Sequence, residues 1–331
     1  MTDGVARSGE FELIARYLAP LSAAAPLAFG LTDDAAVLAP GPGEQVVLTK
    51  DCMVAGVHFL DADGPEIIAR KLLRTNLSDL AAMGAVPRGY LLGLVLPRTF
   101  DESWIAGFAH GLALDQQEFG VALLGGDTTA TTGPTVLSLT ALGVAAEGRV
   151  LRRNGARPGD LLFVSGTIGD AALALHLKLG RVIGVDPEVR AALNARLDLP
   201  SPRVGLGPRL VGIASAALDV SDGLVQDVGH IARASGVAIE IAAADLPLSA
   251  AAAEMIGEEG PGLFLDCLSG GDDYELAFTA PADRAADVAA AAAAAGVPVT
   301  CIGRVAAGQG VTVRDRQGGI IDLARPGYRH F

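Results

Sequence analysis

Short apolar runs alternate along the chain with longer stretches whose apolar residues recur about every 3.6 positions, which predicts strands alternating with amphipathic helices. In the first half, four runs predict strands, the last two forming a strand pair: 45–51, 89–97, 121–127 and 135–145. Between them, 64–85 predicts a helix opened by Pro65 and closed by Gly84, and 101–120 predicts a second helix that ends at Gly120.

The second half repeats this mixture after an Arg-rich turn near 150–160. Helices are predicted at 169–180, at 222–235 and in an alanine-rich stretch before Gly296, and 181–207 is predicted to be a loop. Strands are predicted at 214–221, 237–242 and 297–305, with a further alternation at Asp273–Leu276. The pattern therefore predicts a mixed α/β protein with two domains, 1–149 and 150–331, separated at the Arg-rich turn.

Charge narrows the possible partners. The 331 residues carry a formal net charge of −13, and lysine occurs only at Lys50, Lys71 and Lys178. Nucleic-acid binding depends on Lys and Arg meeting phosphates, so we do not expect a nucleic-acid partner. A phosphorylated substrate would need arginines, backbone amides or metal ions to neutralise it.

Neither a membrane nor a secretory route is expected from the sequence. Apolar runs such as 90–97 are too short to cross a bilayer. Glu10 and Glu12 stand where a secretory leader would be basic and then apolar, so we expect a cytoplasmic protein.

Acidic residues recur beside Gly, Ser or Thr where predicted strands end, and loops at strand ends are where α/β proteins build sites. They are Asp33, Asp34, Asp51, Asp79, Asp127, Asp219, Asp222, Asp272 and Asp273. So many carboxylates would repel a polyphosphate unless divalent cations lay between them. The sequence has no GxxxxGK[ST] phosphate loop and no GxSxG motif. This composition favours metal-bridged phosphoryl transfer.

Several polar residues of these motifs also have a purely structural interpretation. Asn76 and Asp79 share the apolar face of the predicted helix 64–85, where they could bind cations or cap the amides of a neighbouring loop. Ser221 or Asp222 could cap the following helix, although a cap would not explain Asp219. His58, in an apolar context, is by itself more typical of a hydrogen-bonded packing residue.

An ordered set of segments spanning nearly the whole chain resembles the thiamine-monophosphate kinase family: DDAAV, TKDCMVAGVHF, RTNLSDLAAMGAVP, LLGGDTT, RNGARPGD, DVSDGLVQDVGHIARAS, SGGDDYELAFT, CIGRV and GYRHF. The resemblance implies a two-domain aminoimidazole ribonucleotide synthetase-like fold, with an N-terminal mixed sheet that forms a barrel in a homodimer and a C-terminal α/β domain. It implies that ATP phosphorylates thiamine monophosphate to thiamine diphosphate by in-line transfer, with several Mg²⁺ ions.

The resemblance also implies roles for individual residues. The implied Mg²⁺ ligands are Asp34, Thr49, Lys50, Asp51, Asp79, Asp127, Asp219 and Asp222, of which Asp51 and Asp222 are expected to matter most for catalysis. The implied ATP contacts are Gly126, Asp127, Arg153 and Ser221. The implied contacts to thiamine monophosphate are His58, Asp272 and Tyr328.

Two positions depart from the family pattern. Thr32 replaces a usual glycine, so the turn before Asp34 is either ordinary in its dihedral angles or rearranged. Asp272 replaces a frequent glutamate and is one methylene shorter, which affects its expected substrate contact rather than the fold.

Two alternatives are compatible with the same motifs. One is another ATP-using member of the superfamily, although residues 1–51 contain no reactive cysteine and the chain ends in GYRHF rather than in cysteine. The other is a catalytically silent protein that binds ATP or a thiamine phosphate. The near-complete acidic set favours the kinase.

Overall fold

The computed structural model describes residues 9–60 and 62–328, which divide into two units. The first unit contains the described residues up to Leu77 together with Pro87–Val144. The second contains Ser78–Val86 and the described residues from Ala145 onward. The last residues of the helix Pro65–Ala82, from Ser78 onward, therefore belong to the second unit. The predicted domain boundary between residues 149 and 150 stays a prediction.

The first unit is built on a four-stranded sheet with the order β1-β4-β2-β3. Its strands are β1 (Glu44–Val54), β2 (Val86–Pro97), β3 (Ala122–Thr131) and β4 (Val136–Ala146). Strand β3 pairs with β2 in parallel, so the expected pairing of β3 with β4 is wrong. Strands β3 and β4 are consecutive in the sequence, but β2 lies between them in the sheet.

The α-helices in the described part of this unit are α1 (Glu10–Leu13), α2 (Pro65–Ala82), whose residues from Ser78 onward belong to the second unit, and α3 (Glu102–Phe119). The α3 helix starts at the cap Asp101 and stops at Gly120, whose φ of 67° suits glycine. Arg74 of α2 binds buried Asp115 of α3 through Nε at 2.7 Å and Nη2 at 2.9 Å. A paired buried carboxylate thus joins the two helices beside their apolar faces.

The second unit contains a seven-stranded mixed sheet with the order β11-β10-β7-β9-β5-β8-β6. Its strands are β5 (Asp160–Ser165), β6 (Ala216–Asp219), β7 (Ala238–Ala242), β8 (Leu276–Pro281), β9 (Val299–Ala306), β10 (Gly310–Arg314) and β11 (Ile320–Ile321). Strands β7 and β10 are parallel, whereas β8 runs antiparallel to both β5 and β6.

Both faces of this sheet are covered. Alternate residues of β5 enter two different cores: Leu162 and Val164 pack in one, and Phe163 packs in the other. Phe163 pairs in register with Phe278 of β8, and their stacked rings have centroids 5.4 Å apart. Burial on both sides explains why these strands read as continuous apolar runs.

Seven α-helices lie wholly within the described part of the second unit and surround its sheet. They are α4 (Asp170–Lys178), α5 (Pro187–Asp198), α6 (Gly207–Leu210), α7 (Leu224–Ser235), α8 (Ala250–Glu259), α9 (Gly262–Ser269) and α10 (Ala285–Ala295). The prediction of a loop at 181–207 is wrong, because α5 lies there, capped by Asp186. No described helix is long and apolar enough to span a bilayer.

Candidate active site

The turn from β6 into α7 carries Asp219, Ser221 and Asp222 of the second unit. Asp219 ends β6 and α7 begins at Leu224, with Gly223 at the helix N-cap. The helix has no side-chain cap, so neither Ser221 nor Asp222 plays the capping role considered above. Gly223 has φ 126°, and a Cβ there would lie 2.6 Å from the carbonyl oxygen of Ser269. The turn therefore requires glycine at this position.

Asp227, buried in the first turn of α7, holds the backbone of this turn. Its Oδ2 accepts the N–H groups of Ser221 at 3.0 Å, Asp222 at 3.0 Å and Gly223 at 3.1 Å. Three consecutive donors converge on one oxygen, which restrains the backbone of the turn. Sequence reasoning missed Asp227, although its place in the first turn of a helix was a usable signal.

A second supporting residue is Ser78, on the last part of α2 that belongs to the same unit. Its hydroxyl donates to Asp219 Oδ2 at 2.8 Å, and both residues are buried. The adjacent Asp79 is half-buried. The motif NLSD thus supplies a positioning hydroxyl beside the predicted metal ligand, which the sequence analysis did not identify.

The GGDDYE segment lies against the β6–α7 turn. The N–H of Asp272 donates to Ser221 O, and the N–H of Tyr274 donates to Val220 O, both at 2.8 Å. A Cβ on Gly271 would lie 2.1 Å from Ser221 O. The predicted metal-binding turn and the predicted substrate loop are therefore hydrogen-bonded to each other within one unit.

This segment is not the strand that its alternation predicted. Asp272 has φ 70° and Tyr274 has φ 50°, and β8 begins only at Leu276. Left-handed conformations at non-glycine residues cost about 1–2 kcal/mol each, although Asp tolerates them better than Tyr. The Tyr274 hydroxyl donates to Asp272 Oδ1 at 3.2 Å, and this hydrogen bond helps to hold the side chain of Asp272, the residue that replaces the frequent glutamate.

Two buried acids anchor the strained segment. Both carboxylate oxygens of Asp273 accept the N–H of Gly169, at 3.0 and 2.9 Å, and burial raises the pKa of Asp273 well above its ordinary value. Glu275 accepts from Ser165 Oγ at 2.5 Å and from Arg196 Nη2 at 2.7 Å, and both its oxygens bind the guanidinium of Arg203. These contacts hold the strained backbone in place.

Arg153 and Tyr328 also lie in this unit. Burial lowers the pKa of His230, as do the charges of Arg153 and Arg233, whereas Asp222 opposes the shift. His230 is thus within electrostatic reach of both Arg153 and Asp222. The N–H of Tyr328 donates to Asp222 O at 2.9 Å, and the Tyr328 side chain is half exposed. The last three residues of the GYRHF motif lie outside the described residues.

Within the first unit, Thr49, Lys50 and Asp51 are consecutive residues of β1. The ammonium group of Lys50 donates a hydrogen bond to Ser138 Oγ on the neighbouring strand β4. His58 accepts the N–H of Val54 on Nδ1 at 3.1 Å, as a hydrogen-bonded packing histidine would. The substrate role of His58 stays a prediction.

Gly126 and Asp127 are exposed residues of β3. A Cβ on Gly126 would lie 1.9 Å from the carbonyl oxygen of Leu92 on β2, whereas at Gly125 the nearest atom would be 3.4 Å away. Strand pairing by itself therefore requires glycine at 126. This reason is independent of the predicted ATP contact.

The turn before exposed Asp34 is ordinary at Thr32, which has φ −105° and ψ −12°. The positive φ values fall at Phe29, Gly30 and Leu31 instead. The Thr32 hydroxyl donates to Phe29 O at 2.7 Å. Of the two possibilities raised by the missing glycine, ordinary dihedral angles are the correct one for Thr32.

Comparison with known proteins identifies the family. The N-terminal domain of AIR synthase related proteins matches residues 32–145, and the C-terminal domain matches residues 157–316. A thiamine-monophosphate kinase of Caulobacter vibrioides is 47% identical over 305 residues, which cover 92% of this chain and 86% of that one. The chain belongs to the thiamine-monophosphate kinase family.

Solved structures of this family share the fold. The thiamine-monophosphate kinase of Stenotrophomonas maltophilia K279a is 45% identical, with a TM-score of 0.79 over 86% of this chain and 89% of that chain. A structure described as "AaThiL complexed with AMPPCP and TMP" is 33% identical, with a TM-score of 0.78 over 90% and 91%. The predicted two-domain AIR synthase-like fold is confirmed.

The Mg²⁺ ligands expected from the family divide between the two units. Asp34, Thr49, Lys50, Asp51 and Asp127 belong to the first, and Asp79, Asp219 and Asp222 belong to the second. Among the described residues, no group of three or more His, Cys, Asp or Glu side chains is arranged to hold a metal ion. The ligand set stays a prediction.

The residue types nevertheless fit Mg²⁺, which prefers oxygen ligands. Buried Asn76, which precedes Asp79 on α2, gives a structural sign of this. Its Nδ2 donates to Leu72 O at 2.9 Å, whereas its Oδ1 is buried and has no hydrogen-bond partner among the described residues. Asn76 therefore does not cap a neighbouring loop, and its oxygen is suited to a cation or the water of one.

Proposed function

We propose that the chain transfers the γ-phosphoryl group of ATP to thiamine monophosphate, giving ADP and thiamine diphosphate. The observation that carries the proposal is the near-complete match to thiamine-monophosphate kinases, with 47% identity over 92% of this chain. The hydrogen bonds between the turn of Asp222 and the loop of Asp272 support it, because they join the turn of a predicted Mg²⁺ ligand to the loop of a predicted substrate contact.

Positioning and electrostatics account for the reaction. The carboxylates Asp34, Asp51, Asp79, Asp127, Asp219 and Asp222, with oxygens of Thr49 and Lys50, would hold Mg²⁺. Mg²⁺, when bound, neutralises the phosphates and stabilises the charge of the transferred group. Among these ligands, Asp51 and Asp222 are proposed to matter most for turnover.

The remaining contacts to ATP are assigned to the backbone of Gly126, to Ser221 and to Arg153. A guanidinium donates in a fork that matches phosphate oxygens, which is important in a chain with three lysines. No general base is required, because the attacking phosphate oxygen of thiamine monophosphate is already ionised near neutral pH. The chain therefore needs only to align the two phosphates.

Thiamine monophosphate is assigned to His58, Asp272 and Tyr328. The half-exposed ring of Tyr328 can stack on the cationic thiazolium or on the aminopyrimidine. Asp272 can accept a hydrogen bond from the amino group or offset the positive ring charge. Its hydrogen-bonded, strained backbone gives the shorter side chain a defined direction.

The proposal includes a homodimer, because four large apolar side chains of β1 and β2 are exposed. They are Val46, Leu48, Val86 and Leu91. A second copy that covers them would bury apolar surface on both partners. Sedimentation should give a dimer and Leu48→Glu should shift it towards monomer, whereas a monomeric unaltered protein would contradict this part.

We place the reaction in the cytoplasm, where ATP is available.

The test measures ADP and thiamine diphosphate with ATP, thiamine monophosphate and Mg²⁺. We expect Asp34→Asn to lower turnover by about a hundredfold, the effect of removing one electrostatic group, and the matched neighbour Asp33→Asn to leave it unchanged. Binding of both substrates without turnover in the unaltered protein would instead indicate a silent binding protein. Equal effects of the two substitutions would refute the assignment of Asp34.

A further inference from the structure

The C-terminal segment 326–328 lies directly on the first turn of α7. The N–H of Gln226 donates to Pro326 O at 3.1 Å, and the N–H of Tyr328 donates to Asp222 O at 2.9 Å. A Cβ on Gly327 would lie 2.5 Å from Gln226 Cβ and 2.7 Å from Asp222 O. The segment can approach this closely only because residue 327 is glycine.

The side chain of Gln226 makes a further connection. Its Nε2 donates to Asp222 Oδ2 at 3.1 Å and to Tyr328 O at 2.8 Å. An amide nitrogen has two hydrogens, and here each has one acceptor. Because both partners are acceptors only, the nitrogen must be the atom that faces them. Gln226 thus bridges a predicted metal ligand and a predicted substrate residue.

Gln226 also lines a cavity of about 760 Å³ beside the turn. The walls include His230 and Arg233 of α7 and Gln309, which precedes β10. Gln226 Oε1 is buried without a hydrogen-bond partner among the described residues. An orphaned acceptor is destabilising, so the two hydrogen bonds of Nε2 hold the amide in this orientation at some cost.

We propose that Gln226 is a positioning residue that couples the placement of Tyr328 against thiamine monophosphate to the orientation of the Asp222 carboxylate. The inference rests on the roles given to these two residues under the proposed function. One N–H limits rotation of the carboxylate, and the other fixes the backbone from which the Tyr328 ring projects. Substrate binding and the metal-binding turn therefore share one support.

The kinetic test uses Gln226→Leu, which removes both donors at similar volume, with Gln309→Leu as the matched control from the other wall of the cavity. For Gln226→Leu we expect the KM for thiamine monophosphate and the Mg²⁺ concentration at half-maximal rate each to rise about tenfold, the loss typical of one hydrogen bond to a charged or buried group. The KM for ATP and the melting temperature should change little, and Gln309→Leu should match the unaltered protein.

The structural test measures amide hydrogen exchange in peptides that contain Tyr328, with the full chain and no substrate. Gln226→Leu should accelerate exchange there, and so should Gly327→Ala, which forces the segment away from the opposite side and does not depend on the folding of α7. Gln309→Leu should leave exchange unchanged.

Unaltered exchange at Tyr328 in Gln226→Leu would overturn the inference, as would equal KM values for Gln226→Leu and Gln309→Leu. If the unaltered protein shows no turnover, the proposed function fails by itself. The inference then stands or falls on the exchange rates and on calorimetric binding of thiamine monophosphate to the same three variants.

Discussion

Replacing Asp227 with alanine should destabilise the second unit by an amount that the structure allows us to work out. The substitution leaves three N–H groups without their shared acceptor, those of Ser221, Asp222 and Gly223. Gly223 is buried, so leaving its N–H without an acceptor should lower the free energy of unfolding by about 1–3 kcal/mol. The other two N–H groups belong to half-buried residues that water can reach, so the loss of each hydrogen bond should lower it by about 0.5–1.5 kcal/mol.

The expected total is a fall of about 2–6 kcal/mol in the free energy of unfolding. Asp227→Asn keeps one carbonyl oxygen in the position of Oδ2 and should lose much less. The matched control is Asp186→Ala, which removes an exposed carboxylate that accepts one N–H at the start of α5, from Glu188 at 2.7 Å. That helix cap should contribute about 1 kcal/mol.

The assay is urea unfolding followed by circular dichroism, with the three variants and the unaltered protein at one pH and without Mg²⁺. If the dependence of the unfolding free energy on urea concentration is the same in the variants and in the unaltered protein, differences between the midpoints report differences in stability. The reasoning is refuted if Asp227→Ala loses no more than Asp186→Ala, because the turn would then keep its conformation without the buried acceptor.

Three further substitutions test other parts of the structure. Gly126→Ala should destabilise the protein in thermal unfolding, since its Cβ would overlap Leu92 O, whereas Gly125→Ala should be tolerated; equal melting temperatures would contradict this. Burial raises the folded pKa of Asp273 above 3.8, so its contribution to stability is full below that pH and is lost as the pH rises through the folded pKa. Asp273→Asn should therefore flatten the dependence of stability on pH, and an unchanged slope would count against the shift. Glu275→Gln should cost about 2–4 kcal/mol in urea unfolding because two arginines lose their buried partner, and a loss under 1 kcal/mol would disprove that pairing.

Hydrophobic periodicity predicted most helices and strands, because the spacing of apolar residues within one element shows which of its faces can be buried. The helices α2 and α3 and the strands β1 and β2 lie within a few residues of their predicted positions. The failures fall where local pattern and tertiary contacts disagree. Alternation at Asp273–Leu276 is typical of a strand, yet contacts to Ser221 and Val220 turn the backbone at Asp272 and Tyr274 into the left-handed region.

The candidate site shows the same division. Asp219 and Asp222 could be selected from the sequence, because acidic residues beside Ser and Gly at a strand end are a local signal. The residues that hydrogen-bond to these two acids could not be selected in this way. Ser78 lies 141 residues from Asp219, and no local pattern marks a serine on a helix as its donor. Gln226 is only four residues from Asp222, but its second acceptor is 102 residues away, on Tyr328.

Sequence alone was enough to indicate the kind of protein: an acidic, lysine-poor α/β chain whose ordered motifs resemble the thiamine-monophosphate kinase family. Residue type and spacing carry that information because donor chemistry and turn preferences are local properties. The fold was needed to find the groups that hydrogen-bond the candidate site residues and their neighbours, namely Asp227, Ser78, Glu275 and Gln226. Hydrogen bonds that join distant segments depend on how the elements pack, and packing is a property of the whole fold.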